Sequence, residues 1–195
     1  MRMTFRFLLG MTLLLVLAGC SAVKIETGPR SQEAATSASS DQAGNIRSTW
    51  ADRFANANPV QAASYFKLFV DSTSGRYLNF AGDVISTWRE EESRQGRELQ
   101  PEMIGDMIDR SLTTSQPIFS AYDDVAELGW RHVRDSAYFN TETMDLLSDM
   151  HEQYLGIRDF VFNPRGTLQE YRAGVETKRV DLEELSRRVG DALTR

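Results

Sequence analysis

The sequence predicts an all-α fold, a single helical-bundle-like domain formed by residues 46–195. Apolar residues recur three and four positions apart through this region, as they do on one face of a helix. Prolines and helix-capping residues punctuate the pattern, and runs of alternating β-branched residues are few. A region of about 150 residues has the usual size of one domain and is long enough to bury one core.

Turn signals divide the domain into helical segments. The predicted helices cover residues 47–57, 59–70 and 77–96, a short segment after Pro101, a longer one after Pro117, a segment from Asn140 or Thr141 to residue 162, and a last one from Thr167. Pro59 is expected at the first position of its helix, where the missing amide hydrogen costs nothing. The sequence STSG at residues 72–75 is interpreted as a turn between the second and third segments.

The last helix has the clearest start and the most regular stripe. Thr167 and Glu170 have the spacing of a capping box, in which each side chain binds a free backbone amide of the first turn. Its stripe alternates by three and four, with Lys178 as the exception: Leu168, Tyr171, Val175, Lys178, Leu182, Leu185, Val189 and Ala192. We expect packing within the domain, with an intermolecular coiled coil as the alternative.

The first residues have the features of a secretory signal sequence. Arg2 and Arg6 precede an apolar run of about 11 residues, which is too short for a membrane span of about 20 residues. Small residues and then Cys20 follow, and the segment Leu17-Ala18-Gly19-Cys20 resembles the lipobox of bacterial lipoproteins. The resemblance covers only about a tenth of the chain. An ordinary signal peptide, cleaved elsewhere, is the alternative.

The lipoprotein resemblance implies removal of residues 1–19 and attachment of a diacylglycerol to Cys20. It also implies acylation of the new amino group, for example with palmitate. Ser21 at the next position implies sorting to the outer membrane, facing the periplasm, because the inner-membrane retention signal usually has Asp there. Two or three acyl chains anchor a protein stably, since each buried methylene contributes about 0.8 kcal/mol. The polar, small residues of 20–45 are interpreted as a flexible tether of about 27 Å.

Charge and cysteine content exclude several classes of function. The formal net charge of −6 becomes about −8 once Arg2 and Arg6 are removed, so nucleic-acid binding, which needs clustered Lys and Arg, is not expected. Cys20 is the only cysteine, and the folded region therefore has neither a disulfide nor a thiolate metal site.

Sequence motifs for catalysis are missing from the chain. It has no G-x-S-x-G, no phosphate-binding loop, no G-x-G-x-x-G and no C-x-x-C-H. His151 and Glu152 begin an H-E-x-x-H zinc motif, but Leu155 stands where the second histidine is required. No catalytic, cofactor-binding or metal-binding residue is therefore assigned, and Cys20 is the only site residue predicted.

Weaker candidates remain on the helices. His132 and His151 could share a metal with Glu127 or Asp149, although two surface or hydrogen-bonded histidines need no such explanation. Asp145, Asp149 and Glu152 lie four and three residues apart on one face, as general acid–base groups or as a solvated surface. The three tryptophans are more typical of core packing than of a ligand cage: Trp50, Trp88 and Trp130.

Together, the anchor and the missing catalytic motifs favour an accessory function rather than an enzyme. We expect a membrane-anchored envelope lipoprotein whose helical domain binds another envelope protein as a scaffold or accessory subunit, without a cofactor. One alternative is a small-ligand-binding module with an apolar pocket between helices. Another is a metal-dependent enzyme using His132 and His151.

Overall fold

The computed structural model describes residues 29–99 and 101–195, and it describes the side chains of residues 37–99 and 103–195. This part of the chain is helical and contains no strand, which confirms the all-α prediction. The helices are α1 (Pro29–Ala55), α2 (Pro59–Gln95), α3 (Pro101–Leu112), α4 (Gln116–Arg134), α5 (Thr141–Phe162) and α6 (Leu168–Leu193). The predicted lipobox, Cys20 and Ser21 lie outside the described residues.

The central helix α2 corrects the predicted turn at residues 72–75. The STSG segment is part of one continuous helix of 37 residues, and Thr73 and Ser74 are buried. Thr73 Oγ1 donates to the carbonyl oxygen of Phe69 at 2.7 Å, so its hydroxyl is satisfied one turn back in the same helix. The helix is covered by α4, α5 and α6, and this packing outweighs the weak helix propensity of Ser, Thr and Gly.

The first helix corrects the predicted tether. It begins at Pro29 rather than near residue 47, so residues 29–45 of the predicted flexible segment are helical. Ala43 is completely buried, and Ile46 and Trp50 pack against the core on the same side of α1. The segment before them contains several Ala and Gln residues, whose helix costs are small, so the helix continues from its packed part.

Capping side chains position the ends of the helices. Asn58 and Gln61 form a capping box at the start of α2, and Asn140 accepts from Thr143 at the start of α5. The predicted capping box of Thr167 and Glu170 is confirmed at the start of α6. Each of these side chains satisfies a backbone amide that the first turn leaves free.

The last helix runs antiparallel to α2 and packs against α2 and α5. Lys67 contacts Ser186, and Trp88 lies against Tyr171 at the other end of the pair. The buried residues of α6 are those of the predicted stripe: Tyr171, Val175, Leu182 and Val189. The stripe therefore packs within the domain.

The contact between α1 and α4 is unusually close at one glycine. A β-carbon at Gly129 would lie 2.6 Å from Phe54 Cζ, a distance that real side chains do not adopt. The glycine therefore allows the two helices to approach, and Phe54 is almost completely buried there. In the described part of the chain, none of the helices is long and apolar enough to cross a membrane.

Candidate binding groove between α4 and α5

A polar cluster of one half-buried aspartate and two buried tyrosines joins α2, α4 and α5. Asp123 Oδ1 accepts hydrogen bonds from the hydroxyl of Tyr77 at 2.9 Å and from the hydroxyl of Tyr154 at 2.8 Å. Both tyrosine side chains are completely buried, and burial raises the pKa of each hydroxyl far above its ordinary value of 10. The hydroxyls therefore remain protonated donors, and one carboxylate fixes three helices relative to each other.

An open groove of about 370 Å³ lies above this cluster, between α4 and α5. Its lining combines charged residues with a few apolar ones: Asp123, Asp124, Ala126, Glu127, Arg131, His151, Tyr154, Leu155 and Arg158. Of these residues, only His151 and Glu127 were functional candidates from the sequence.

The charged side chains around the groove are held by one another. Arg158 Nη1 lies 3.7 Å from Asp123 Oδ2, and its Nη2 lies 2.7 Å from Asp159 Oδ1. Arg131 Nε lies 3.7 Å from Glu127 Oε1 along the same helix. These contacts leave the guanidinium groups partly exposed, so they are positioned to exchange a neighbouring carboxylate for one of a bound molecule.

His151 forms an aromatic wall of the groove rather than half of a zinc motif. Its ring stacks on Trp130 with centroids 5.2 Å apart, and its Nε2 lies 3.6 Å from Glu127 Oε2. Burial lowers the pKa of His151 below its ordinary value of 6.5, although the charge of Glu127 acts in the opposite direction. The imidazole is therefore neutral at pH 7, and its contact with Glu127 is not an ion pair at that pH.

His132 has different neighbours. It is exposed, its Nδ1 lies 3.0 Å from the carbonyl oxygen of Leu128, and its ring lies 5.7 Å from Phe54 of α1. His151 instead lies beside Trp130 and Phe66. Among the described residues, no group of three His, Cys, Asp or Glu side chains could hold a metal ion.

The predicted carboxylate face lies on the other side of α5, toward α6. Asp145, Asp149 and Glu152 are exposed and line two neighbouring charged grooves, of about 440 and 500 Å³. Basic residues of α6 form the opposite wall of these grooves, among them Lys178 and Arg188. This arrangement is typical of a solvated face with alternating charges.

A second polar cluster joins α2 to α6. Lys67 Nζ donates to Asp71 Oδ2 at 2.8 Å and to Ser186 Oγ at 2.7 Å, and Ser186 Oγ donates to the same Asp71 oxygen at 2.8 Å. Sequence reasoning missed this cluster because Lys67 and Ser186 are 119 residues apart. The cluster therefore joins α2 to α6 through two hydrogen bonds of Ser186, beside an ion pair within α2.

The tryptophans pack as core residues. Trp88 is almost completely buried and donates from Nε1 to Glu92 at 2.7 Å, while Trp50 and Trp130 are half-buried against the core. A further open groove of about 380 Å³ lies between the end of α2 and α3, where apolar Leu99 and Met107 meet charged residues.

Compared with protein-family models, with curated proteins and with solved structures, the chain matches none. A function can therefore be inferred only from the chain's own residues, above all from the lipobox-like segment at residues 17–20 and the groove between α4 and α5.

Proposed function

We propose that this chain is a lipid-anchored envelope protein whose helical domain binds another envelope protein as a scaffold or accessory subunit. The observation that carries the proposal is the sequence Leu17-Ala18-Gly19-Cys20 after a short apolar run, ahead of a helical domain. Lipidated Cys20 holds the domain at a membrane, and Ser21 favours the outer membrane, facing the periplasm. The proposed activity is binding, with no catalysis and no cofactor.

The groove between α4 and α5 is the proposed contact surface for the partner protein. Its floor is rigid because Asp123 fixes Tyr77 and Tyr154, and its rim presents Arg131 and Arg158 beside carboxylates. An open groove with both charges suits a polar protein segment, because protein interfaces combine aromatic and arginine side chains with a polar rim.

A crosslinking pull-down from membranes tests the proposal. The acylated chain should recover one envelope protein, and the Cys20→Ala form should lose that protein or recover much less of it. Mass spectrometry of the mature N-terminus should show acylated Cys20. An unmodified Cys20, or the absence of any specific crosslinked protein, would reject the anchored binding function.

A pair of matched arginine variants tests the groove. Arg131→Glu should reduce recovery of the partner at least tenfold, because it reverses a charge on the rim. Arg179→Glu is the control, because Arg179 is also a partly exposed arginine beside a glutamate of its own helix, but on α6. Equal recovery with both variants would place the interface elsewhere on the domain.

A small-ligand-binding module is the second candidate function. The open groove between α2 and α3 favours it, because its volume of about 380 Å³ lies in the range of ligand pockets and apolar Leu99, Met103 and Met107 line part of it. Intact-mass analysis with added lipids should then show a stoichiometric adduct that Met107→Glu abolishes. No adduct with any lipid class would exclude this candidate.

A further inference from the structure

The relative directions of α1 and α4 show which ends of the two helices lie together. Arg47 Nε lies 2.7 Å from Asp124 Oδ2, and its Nη2 donates to Ser120 at 3.3 Å. Phe54, two turns after Arg47 along α1, lies against Gly129. Gly129 in turn follows both Ser120 and Asp124 along α4. Because residue numbers rise together along the contact, the helices are parallel and both begin at the same end of the bundle.

The packed part of α1 is held at several points along its axis. Phe54 fits over Gly129, and the Trp50 ring meets the Phe69 ring edge-on with centroids 4.8 Å apart. Arg47 adds the ion pair with Asp124 one turn before Trp50. Contacts spread over two turns on one side fix the direction of the helix axis, not only its position.

The same contacts identify the two ends of the bundle. Trp50 lies against Phe69 and Phe54 against Tyr65, so α2 runs antiparallel to α1. The end where α1 begins therefore also contains the last turns of α2, the adjoining α3 and the first turn of α6. The opposite end contains the loop between α4 and α5, where Tyr138 is 65% exposed.

The helix extends well beyond its packed part. Ala43 is the first buried residue among the described side chains, whereas the helix begins at Pro29, about 21 Å earlier at 1.5 Å per residue. Residues 21–28 alone separate Pro29 from Cys20, and a chain of that length spans at most about 30 Å. The bundle is thus attached to its proposed anchor through a long helical segment and a short connection.

We propose that α1 is a rigid stalk that turns the α2–α3 end of the bundle toward the membrane and the α4–α5 loop away from it. This orientation rests on the lipid attachment of Cys20 proposed above. The lipid surface then faces α3, and the exposed Tyr138 is presented to partners that lie further from the membrane. A tether that was flexible over all of residues 21–45 would favour this orientation less.

Energy transfer from the protein to the lipid surface tests the orientation. The acylated chain is placed in phosphatidylethanolamine–phosphatidylglycerol vesicles that contain acceptor-labelled lipid, and one fluorophore is attached through Asp106→Cys or Tyr138→Cys. Both positions are exposed, on α3 and on the α4–α5 loop. Transfer should be at least twofold more efficient from position 106 than from 138, and equal transfer would overturn the proposal.

A helix-breaking variant tests whether the orientation of the bundle depends on the helical part of α1 ahead of Ala43. Ala38 lies in the exposed part of α1, ahead of Ala43. Ala38→Pro should make the transfer efficiencies from positions 106 and 138 converge. Its midpoint of thermal unfolding should stay within a few degrees of that of the unsubstituted chain. The control Ala38→Ser keeps the helix and should keep the difference. A difference that survives Ala38→Pro would contradict the stalk.

A second measurement keeps the stalk testable if Cys20 is not acylated. Intact mass and vesicle binding report on acylation alone, so their failure rejects the proposed function and leaves the stalk to be tested in solution. In the Cys20→Ser chain, spin labels at Ser37→Cys and Tyr138→Cys should give one narrow distance distribution. A broad distribution would reject the stalk independently of the anchor.

Discussion

The two sides of α5 differ in how their polar groups are satisfied. Toward α4, Tyr154 is completely buried and depends on Asp123 as its acceptor. Toward α6, Asp149 and Glu152 are exposed and line open charged grooves. Water can replace a lost partner on the second side but hardly on the first. Burial, rather than the number of polar groups, therefore decides what each side contributes to stability.

The largest effect is expected from removing the acceptor on the α4 side. Asp123→Ala should lower the free energy of unfolding by about 2 kcal/mol, because two buried tyrosine hydroxyls lose their acceptor. Urea denaturation followed by circular dichroism measures the change. Asp124→Ala, one residue further on, removes a mostly exposed ion pair with Arg47 and should cost less than about 1 kcal/mol. Similar losses for the two variants would contradict the comparison.

The close contact between Gly174 of α6 and Phe160 of α5 should give the next largest effect. A β-carbon at Gly174 would lie 2.5 Å from Phe160 Cζ, whose ring is stacked on Tyr171, so Gly174→Ala should cost about 1 to 2 kcal/mol. Gly75→Ala is the control, because its β-carbon meets no atom within 4 Å and the better helix former should stabilise the protein by up to about 1 kcal/mol. Thermal unfolding should show midpoint shifts of opposite sign.

A smaller effect on the α4 side is a dependence of stability on pH. Burial lowers the pKa of His151 below its ordinary 6.5, so protonation favours the unfolded chain. The stability that His151 contributes should be complete above pH 6.5 and decrease as the pH falls through the lowered folded-state pKa. His151→Gln should flatten the stability profile between pH 7 and 5 relative to that of the unsubstituted chain. Parallel profiles for the two proteins would refute this assignment.

The smallest effect is expected on the charged face of α5. Glu152→Gln should change the free energy of unfolding by less than about 0.5 kcal/mol, because Glu152 is exposed to water beside its α6 neighbours. The urea midpoint of this variant can be compared with that of Asp123→Ala under the same conditions. A loss above about 1 kcal/mol would show that this side also depends on specific pairs.

Most of the fold could be predicted because helical periodicity is a local property of the sequence. The starts of α5 and α6 follow from Asn140 and Thr167, and the end of α2 follows from Gly96, whose φ of 66° lies in the left-handed region. The predicted tether and the predicted turn at residues 72–75 were wrong where α1 and α2 are helical. Both lie in stretches of small polar residues, ahead of Ala43 and around Thr73. Such stretches have no apolar stripe, and their helices depend on partners distant in sequence.

The candidate site could be predicted only in part, for a related reason. His151 stood out by residue type, and the aromatic stripes already contained Tyr77 and Tyr154. Their shared acceptor, Asp123, lies 46 and 31 residues away, so no local spacing pointed to it. A signal was present nonetheless, because a tyrosine inside an apolar stripe requires a hydrogen-bond partner for its hydroxyl.

The pairing of α2 with α6 has a consequence for the export that is proposed above. The first of these helices cannot be covered along its full length until the last 26-residue helix has emerged, since Trp88 meets Tyr171 and Lys67 meets Ser186. For an exported precursor, the core therefore closes only after nearly the whole chain has crossed the membrane. Until then α2 presents an uncovered apolar face, and a chain that is truncated before α6 should be degraded by proteases faster than the full chain.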